Sequence, residues 1–513
     1  MRAVERALAR HAESDATLVQ VLDADGGRAA AFSYREITRA AQALASRLGA
    51  VPETTDGSRR VGVLCGNTPE FVVADLALLA ARRTEVPVPL AFSRDQAAGL
   101  LLEAEICLVD EFGAARLDEW GRDNVLPAGC RVVEIRLAEL VRGTVPYAVP
   151  AGDEDWICKI IHTSGTTSLP KGVRIRSHGV DALIGSLHSA MPARAFTRYV
   201  SFVPFSLLIE QVTGLYLVVL DGGCVTLLPP DAPLVGTSGA AVETVLPLLA
   251  AARPTAVVAT PAPVTALLAA ARRASAAGED VSRALFGTEQ TPLICCGGAP
   301  VHPDTLRELD TFGIAVHEGY GLSENSSVVS LNTPGARRIG TVGRPLDHVS
   351  VRLGEDGELL VRSASLFAGY TREDPSSCDV VDGWLHTGDL ASIDEDGYLT
   401  ITGRKKNVII TAAGRNVAPE WVEAQYTRLP FVRAVAVVGN GLPALNGLFV
   451  IDPDTDPAEA QRAIAAFGAE HLSAVERVEK VHLMSTEDAA YRRLFTVTGR
   501  PVRKAITKQL LSQ

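Results

Sequence analysis

A hydroxyl-rich loop that directly follows a short apolar strand is the feature that most constrains this chain. The loop at residues 163–167 reads TSGTT and places four hydroxyl side chains around Gly165. Backbone N–H groups and hydroxyls together can wrap an anion such as a phosphate. Lys171 adds a cation six residues after Gly165. The stretch therefore predicts a binding site for a nucleotide.

The lysine stands at the offset that it has in the P-loop pattern G-x-x-x-x-G-K-[ST], but two residues exclude that motif. Pro170 occupies the second glycine position and has no N–H to donate. Gly172 replaces the hydroxyl residue that holds Mg²⁺ in a P-loop. For the TSGTT string alone, an ordinary Ser/Thr-rich turn remains the alternative.

Length, charge and cysteine usage limit the class of protein. A chain of 513 residues exceeds what one hydrophobic core can serve, so at least two domains are expected. The net charge of −11 disfavours a broad nucleic-acid-binding surface, which needs clustered Lys and Arg. The eight cysteines show no C-x-x-C spacing and no zinc ligand set. This cysteine pattern suits a protein of the reducing cytosol.

The apolar runs are too short for a membrane segment. The longest one near the middle, residues 215–220, falls far short of the ~20 residues that span a bilayer. The N-terminus carries charges of both signs and lacks an apolar core of signal-peptide length. We therefore expect a cytoplasmic protein with no membrane span and no nucleic-acid partner.

Through residue 295 the hydrophobic pattern alternates between helix and strand periodicity. Such alternation predicts parallel sheets covered by helices. Helices are predicted at 34–48 and 69–81. The predicted strands are 60–66, 85–90, 106–110, 200–205, 224–228, 256–259 and 292–295.

From Asp347 the pattern changes to shorter strands, which are typical of a small β-rich subdomain. They are joined by Asp-Gly turns at 356–357, 382–383 and 396–397. The final segment predicts a small α+β unit, with strands at 408–410 and 434–438 and helices at 419–429 and 457–471. We therefore expect an α/β protein with a large domain at 1–403 and a small domain at 404–513.

Two further strings carry groups suited to a nucleotide. Residues 295–300 (CCGGAP) supply two glycines after a predicted strand, where a flat ligand could approach the backbone closely. Residues 318–324 (EGYGLSE) combine Tyr320, Ser323 and Glu324, which suit a base, a phosphate and Mg²⁺ in turn. The alternative for the first string is a plain turn between strand and helix, and the alternative for the second is a solvated turn with an exposed glutamate.

Together these strings resemble the motifs of the AMP-forming adenylating superfamily, which includes acyl-CoA synthetases, peptide-synthetase adenylation domains and luciferases. The resemblance implies a large N-terminal domain and a mobile C-terminal domain with a hinge near Lys406. It also implies ATP and Mg²⁺ as ligands, and CoA or the phosphopantetheine of an acyl carrier protein as a thiol acceptor. The matching strings, in family order, are 163–172, 295–300, 318–324, 383–389, 401–410 and 411–420.

The resemblance implies a role for each matching residue. Gly414, for example, would line a thiol tunnel. Lys171 would grip the β- and γ-phosphates, and Asp389 and Arg404 would bind the ribose. The implied catalytic residues are Lys171, Glu324 and Arg500, with Glu324 as the metal ligand. The implied nucleotide ligands are Thr163, Ser164, Gly165, Thr166, Thr167, Lys171, Gly298, Ala299, Tyr320, Gly321, Ser323, Asp389 and Arg404.

Two positions depart from the family pattern. Leu207 stands where the family usually has a histidine or another aromatic residue beside the acyl carboxylate. Arg500 stands where the family has a lysine that bridges the α-phosphate and the attacking carboxylate. Lys504, four residues later, is the other available cation. We predict that Arg500 takes the catalytic role, because a guanidinium stays charged in any site.

The resulting prediction is ATP-dependent activation of a carboxylic acid to an acyl-adenylate, with release of pyrophosphate and transfer to a thiol. One alternative is that a small oxyacid such as nitrite is adenylated and passed to an amine, as in diazotases that resemble this family. The other is a catalytically impaired nucleotide-binding relative, which rests on the lysine replacement. The sequence does not name the acid.

Overall fold

The first large sheet contains the strand that leads into the hydroxyl-rich loop. In the computed structural model, Ile157–Thr163 and Lys171–Arg176 run antiparallel, with Thr163 opposite Lys171, whereas the other pairs of this sheet are parallel. Lys171 therefore lies beside the start of the loop. The strand order is Arg131–Glu134, Ile106–Val109, Arg60–Leu64, Thr84–Pro87, Ile157–Thr163 and Lys171–Arg176. The structure describes residues 1–49, 53–54, 57–143, 145–152, 154–163, 171–230, 232, 234, 242–372, 377–495 and 500–511.

The second large sheet is parallel in its middle and antiparallel at both margins. Because the carboxyl ends of parallel strands meet at one edge, the segments after Leu293–Cys296 and Val316–Leu322 lie close together. The predicted site strings 295–300 and 318–324 begin in these two strands and extend past their ends. The strand order is Arg344–Pro345, Ser327–Leu331, Val316–Leu322, Leu293–Cys296, Ala256–Ala259, Arg198–Ser201, Cys224–Leu227, Thr17–Leu22 and Arg28–Ser33.

Helices cover both sheets, and local sequence explains where several of them begin. Ser33 and Glu36 form a reciprocal capping box at the start of Tyr34–Leu48, which confirms the predicted helix over 34–48. The side chain of Thr68 caps the helix Pro69–Ala80. The other helices before residue 400 are Arg2–His11, Arg94–Leu101, Glu111–Trp120, Leu137–Leu140, Ser177–Ala190, Leu208–Gln211, Leu217–Asp221, Val242–Ala252, Pro261–Ala276, Val281–Phe286 and Pro303–Thr311, with a π-helix at Val212–Tyr216 and 3-10 turns at Arg122–Asn124 and Ser323–Asn325.

Three strand predictions were wrong in their extent, and the strands expected at 60–66 and 85–90 are observed at Arg60–Leu64 and Thr84–Pro87. The strand expected at 200–205 is observed at Arg198–Ser201, and the chain then turns toward the helix Leu208–Gln211. Pro204 explains the early end, because proline lacks the N–H that a continuing central strand must donate. The strand at Ala256–Ala259 is confirmed.

An antiparallel sheet follows at the predicted β-rich subdomain. Its Asp-Gly turns join neighbouring strands, as the sequence predicts. Strand Trp384–Ile393 pairs with Leu399–Arg404, which places Asp389 opposite Arg404. The other strands of this sheet are Val349–Leu353, Glu358–Ser363 and Val380–Val381.

The C-terminal segment forms a two-stranded and a three-stranded sheet with helices, in agreement with the predicted α+β unit. The helix at Pro457–His471 is confirmed, and the helix expected over 419–429 ends earlier, at Tyr426. The observed strands are Ile409–Ile410, Asn416–Val417, Val432–Val438, Leu445–Ile451 and Val478–Ser485, and the observed helices are Pro419–Tyr426, Pro457–His471, Tyr491–Leu494 and Arg503–Leu511.

The buried side chains fall into distinct hydrophobic clusters on either side of residue 403. The large cluster extends along the chain to Leu399 with Ile401 packed against it, and another begins at Ile409. The eight cysteines are free thiols. Within the described ranges, no helix is long and apolar enough to cross a membrane.

Candidate active site

The Tyr320 segment is shaped by close backbone packing. Val316–Leu322 passes into the 3-10 turn Ser323–Asn325, and the chain then returns as the antiparallel strand Ser327–Leu331. A Cβ atom on Gly321 would lie 1.5 Å from the carbonyl oxygen of Ser327, so a residue with a side chain cannot take this position without backbone movement. Ser323 begins the turn and Glu324 follows it.

Asp389 binds one donor on each carboxylate oxygen. The hydroxyl of Tyr320 donates to Oδ2 at 2.5 Å, and Nε of Arg404 pairs with Oδ1 at 2.8 Å. Asp389 is only 2% exposed, whereas the Arg404 side chain is 54% exposed. Burial raises the pKa of Asp389, and the Arg404 cation and the Tyr320 hydrogen bond oppose that shift. The three predicted ribose and adenine residues are therefore brought together.

Arg500 reaches the glycine loop from the C-terminal segment. Its Nη2 donates to the carbonyl oxygen of Gly298 at 2.9 Å. Gly298 has a φ of +89°, a conformation that favours glycine, and Ala299 beside it is exposed. Loss of hydration and the nearby Arg404 lower the pKa of Arg500, while Asp389 opposes the shift. Arg500 thus lies at the same end of the site as Arg404 and Asp389.

Lys504 takes a different position from Arg500. It lies in the terminal helix Arg503–Leu511 and its side chain is exposed. Its neighbour Arg503 pairs with Glu423 at 2.5 Å and with Glu420 at 3.1 Å. Of the two candidate cations, Arg500 is the one that contacts the glycine loop.

Lys171 and Glu324 both contact Tyr370 at a second end of the site, which we call the phosphate end. Lys171 is 4% exposed and Glu324 is 7% exposed. The Lys171 Nζ atom lies 4.3 Å from the centroid of the Tyr370 ring and 3.4 Å from Oγ of Ser377. The Tyr370 hydroxyl donates to Oε1 of Glu324 at 2.7 Å. A buried glutamate excludes the solvated turn that the sequence left open for this string.

Tyr370 and Ser377 were not among the residues predicted from the sequence. Neither residue stands in a string with a recognisable spacing, and both reach Lys171 only through folding. The backbone of Thr163 ends the strand Ile157–Thr163. The predicted phosphate ligands Ser164, Gly165, Thr166 and Thr167 lie outside the described residues.

Three residues that the sequence singled out lie apart from these contacts. Leu207 is partly buried against the large hydrophobic cluster, directly before the helix Leu208–Gln211. Lys406 is exposed, next to Lys405, whose Nζ lies 2.5 Å from Oδ2 of Asp356. Gly414 has a φ of +72° in the turn that joins Ile409–Ile410 to Asn416–Val417.

The donor set at the phosphate end fits Mg²⁺. Among the described residues, no group of three or more His, Cys, Asp or Glu side chains could hold a metal ion by itself. Mg²⁺ is usually bound by one or two carboxylates together with substrate phosphates and water. Glu324 offers a hard carboxylate oxygen, and Lys171 nearby suits a phosphate. A metal shared between Glu324 and a substrate phosphate needs no further protein cage.

Solved structures of adenylating ligases share this fold. The anthranilate CoA ligase AuaEII, solved with anthranoyl-AMP, superposes with a TM-score of 0.81 at 20% identity, over 99% of this chain and 96% of that one. The amide bond synthetase McbA from Marinactinospora thermotolerans gives a TM-score of 0.74 at 24% identity, over 99% of both chains. These likenesses confirm the predicted fold class.

The sequence comparisons identify the family. The long-chain-fatty-acid–CoA ligase FadD15 of Mycobacterium bovis is 28% identical over 491 residues, which cover 83% of this chain and 79% of that protein. The family described as AMP-binding enzyme matches residues 4–371. The family suggested by the sequence motifs is confirmed. The chain therefore belongs to the AMP-binding enzyme family and is an ATP-dependent, AMP-forming ligase.

Proposed function

We propose that this enzyme converts a carboxylic acid to an acyl-adenylate and then transfers the acyl group to a thiol. The observation that carries the proposal is the hydrogen bond from Arg500 to the Gly298 carbonyl at 2.9 Å. It brings a permanent cation to the glycine loop, close to Asp389 and Arg404. A cation at this place suits a reaction in which two anions, a carboxylate and a phosphate, must approach one another.

In the proposed first step, a carboxylate oxygen of the acid attacks the α-phosphorus of ATP. A new bond forms between that oxygen and the phosphorus, the bond from the α-phosphorus to the bridging oxygen breaks, and pyrophosphate leaves. Arg500 would hold the α-phosphate and the attacking oxygen, because a guanidinium presents a planar fork of donors. Lys171 would bear the charge of the leaving phosphates.

Tyr320, Asp389 and Arg404 would hold the nucleoside part of ATP. Asp389 can accept hydrogen bonds from ribose hydroxyls, and the Tyr320 ring offers an aromatic face to adenine. The Tyr320–Asp389 contact at 2.5 Å and the Arg404–Asp389 contact at 2.8 Å support this role, because they position the three side chains before a ligand binds. Glu324 would hold Mg²⁺, which would neutralise phosphate oxygens.

In the proposed second step, a thiol sulfur attacks the acyl carbonyl carbon and AMP leaves. We propose a domain boundary near residue 403 and a hinge at Lys406, so that the C-terminal domain can move between the steps. The separate hydrophobic clusters before residue 401 and after residue 409 support this division. CoA and a carrier-protein phosphopantetheine are the candidate thiols.

The hinge can be tested with Lys406→Pro, because proline fixes φ at a position that must change it. We expect one half-reaction, adenylate formation or thiol transfer, to survive and the other to be lost. Lys406→Ala removes the same side chain without fixing φ and should retain both. If Lys406→Pro runs both half-reactions at wild-type rates, the hinge lies elsewhere.

The overall reaction is tested by pyrophosphate release with a panel of acids, followed by product analysis with CoA, pantetheine and amines. Because FadD15 is named as a long-chain-fatty-acid–CoA ligase, long-chain fatty acids are the first acids to try. We expect an acid-dependent release of pyrophosphate and then a thioester. A folded enzyme that binds ATP but releases pyrophosphate with no acid of the panel would contradict the proposal.

A second candidate is the adenylation of a small oxyacid such as nitrite with transfer to an amine. Leu207 supports it, because an apolar side chain stands where the family has a polar or aromatic group beside the acid. Nitrite belongs in the same panel for this reason. Pyrophosphate release with nitrite and consumption of an amine would favour this candidate over the thioester.

A further inference from the structure

Tyr370 contacts both charged groups of the phosphate end. Its hydroxyl donates to Oε1 of Glu324 at 2.7 Å, and its ring centroid lies 4.3 Å from Nζ of Lys171. Tyr370 is buried, and it lies outside the strings that the sequence analysis assigned to the site. One rigid side chain therefore touches the candidate metal carboxylate and the candidate phosphate cation together.

The direction of the Tyr370 hydroxyl is fixed by a second contact. The backbone N–H of Cys378 donates to the Tyr370 oxygen at 2.9 Å. A phenol has a single proton, so the oxygen that accepts from Cys378 uses that proton for Glu324. This arrangement holds the Glu324 carboxylate in one orientation.

The Tyr370 ring acts on Lys171 in a different way. An ammonium over an aromatic face is attracted by the ring, and the attraction grows when water is excluded. Lys171 is 4% exposed, and Ser377, adjacent to Cys378, accepts from its Nζ at 3.4 Å. The ring and the hydroxyl of Tyr370 can thus be separated by mutation, since phenylalanine keeps the ring alone.

We propose that Tyr370 is a positioning residue that couples metal binding to ATP binding. The inference rests on the proposed function, in which Glu324 holds Mg²⁺ and Lys171 binds phosphate. Hydrogen bonds to a ligating carboxylate orient it, and their loss typically weakens metal binding by about 10–100-fold. The ring orients the cation for the phosphates that share the metal. Both ligands of one ATP–metal complex therefore depend on the same side chain.

The test measures ATP binding by calorimetry, without metal and across a Mg²⁺ titration, in wild type, Tyr370→Phe and Tyr370→Leu. For Tyr370→Phe we expect metal-free ATP affinity to stay near wild type, while the Mg²⁺ midpoint rises roughly tenfold. For Tyr370→Leu, ATP affinity without metal should fall as well. In a Glu324→Gln background, Tyr370→Phe should no longer move the midpoint.

Tyr34→Phe is the matched control. Tyr34 is fully buried and its hydroxyl donates to the Gly223 carbonyl at 2.9 Å, so this variant also loses one buried hydrogen bond. It should leave both binding measurements unchanged. Thermal melts identify any variant that fails to fold, and Tyr370→Phe alone decides the coupling if Tyr370→Leu does not fold.

Two results would overturn the inference, and they differ in what else they overturn. If wild type binds ATP with a clear Mg²⁺ dependence and Tyr370→Phe has the same midpoint, Tyr370 does not couple the ligands and the proposed function stands. If wild-type binding of ATP does not respond to Mg²⁺, the metal role of Glu324 fails together with the coupling.

Discussion

Lys159 and Lys171 lie on neighbouring antiparallel strands and are both almost fully buried, at 2% and 4% exposure, but their surroundings differ. Lys159 Nζ lies 2.6 Å from Oδ1 of Asp75 and also contacts Glu85. The side chains of Tyr216 and Gln211 donate to these carboxylates at 2.7 and 3.0 Å. We call the group of Asp75, Glu85, Lys159, Gln211 and Tyr216 the sealed cluster.

In the sealed cluster, the charges of opposite sign belong to members of the cluster that contact one another. Two carboxylates face one ammonium, and burial raises the pKa of Glu85 even though Lys159 opposes that shift. Lys171 contacts the Tyr370 ring and the Ser377 hydroxyl, and it follows the hydroxyl-rich loop in the sequence. We infer that Lys159 stabilises the fold, and we propose that Lys171 serves a ligand, as its place in the family's phosphate-binding string implies.

Lys159→Met should have the largest effect of the variants that test the comparison between Lys159 and Lys171. Removal of the ammonium leaves Asp75 and Glu85 buried without their cation, which typically costs about 3–5 kcal/mol. We expect the free energy of unfolding, measured by urea denaturation, to fall by that amount. Activity per folded molecule should change little.

The neutral triple variant Lys159→Met, Asp75→Asn, Glu85→Gln is the control. Replacing a whole buried ion group by neutral residues is often close to neutral, because no uncompensated charge remains. This variant should recover much of the lost stability. If the single variant is as stable as wild type, the sealed cluster does not stabilise the fold as inferred.

Arg500 and Arg503 make different contacts in the C-terminal segment. Arg503 is matched by Glu423 and Glu420, whereas Arg500 donates to the Gly298 carbonyl. We expect Arg500→Ala to slow adenylate formation by about a hundredfold, as the loss of a preorganised donor does, with little change in stability. Transfer from a supplied adenylate should slow far less.

Arg503→Ala and Lys504→Ala complete that experiment. Arg503→Ala should lower stability, because Glu423 is buried and loses its cation. Lys504→Ala should be mild, because it is Arg500 that donates to the Gly298 carbonyl. If Lys504→Ala abolishes pyrophosphate release while Arg500→Ala is nearly silent, the catalytic cation has been assigned to the wrong residue.

The sequence predicted the elements of this fold better than its contacts. Helix Tyr34–Leu48 was predictable because its apolar spacing and its Ser33 cap agree. The Asp-Gly turns were predictable because glycine permits the positive φ that tight hairpins need. The end of Arg198–Ser201 was predicted too late, because the apolar run at 200–205 continues through Pro204, a residue that a central strand does not accommodate.

The site was predictable where its residues stand in compact strings. Tyr320, Ser323 and Glu324 are close in sequence, and so a common role could be predicted for them without a structure. Tyr370 and the sealed cluster could not be predicted in this way. Their partners come from distant strands and helices, and no local spacing encodes a contact such as that of Asp75 with Lys159.

Lys171→Ala tests the other member of the lysine pair. It should remove one charge-assisted contact to phosphate, which is worth about 1.5–3 kcal/mol. ATP affinity or turnover should fall about ten- to hundredfold, as measured by pyrophosphate release at varied ATP. Stability should change far less than in Lys159→Met. A folded Lys171→Ala enzyme with unchanged ATP kinetics would remove the basis for calling this part of the site the phosphate end.

Glu318, beside the active site, resembles Glu85 in that burial raises its pKa. Its replacement should produce the smallest effect of these variants. Its Oε1 accepts from the Val301 N–H at 3.3 Å, and burial raises its pKa from 4.5 to about 7 against the opposing backbone donors. The folded protein therefore keeps this proton in a pH range where the unfolded chain has released it. The resulting stability is fully present below about pH 4.5 and is lost as the pH rises through about 7.

Glu318→Gln isolates this effect, because glutamine resembles the protonated acid at every pH. The free energy of unfolding of wild type minus that of the variant should fall by roughly 1–2 kcal/mol between pH 6 and pH 8, in urea denaturation at several pH values. Glu308→Gln is the control: Arg272 lowers the pKa of exposed Glu308, so its curve should stay parallel to wild type over this range. Parallel curves for Glu318→Gln as well would mean that Glu318 stays charged when buried.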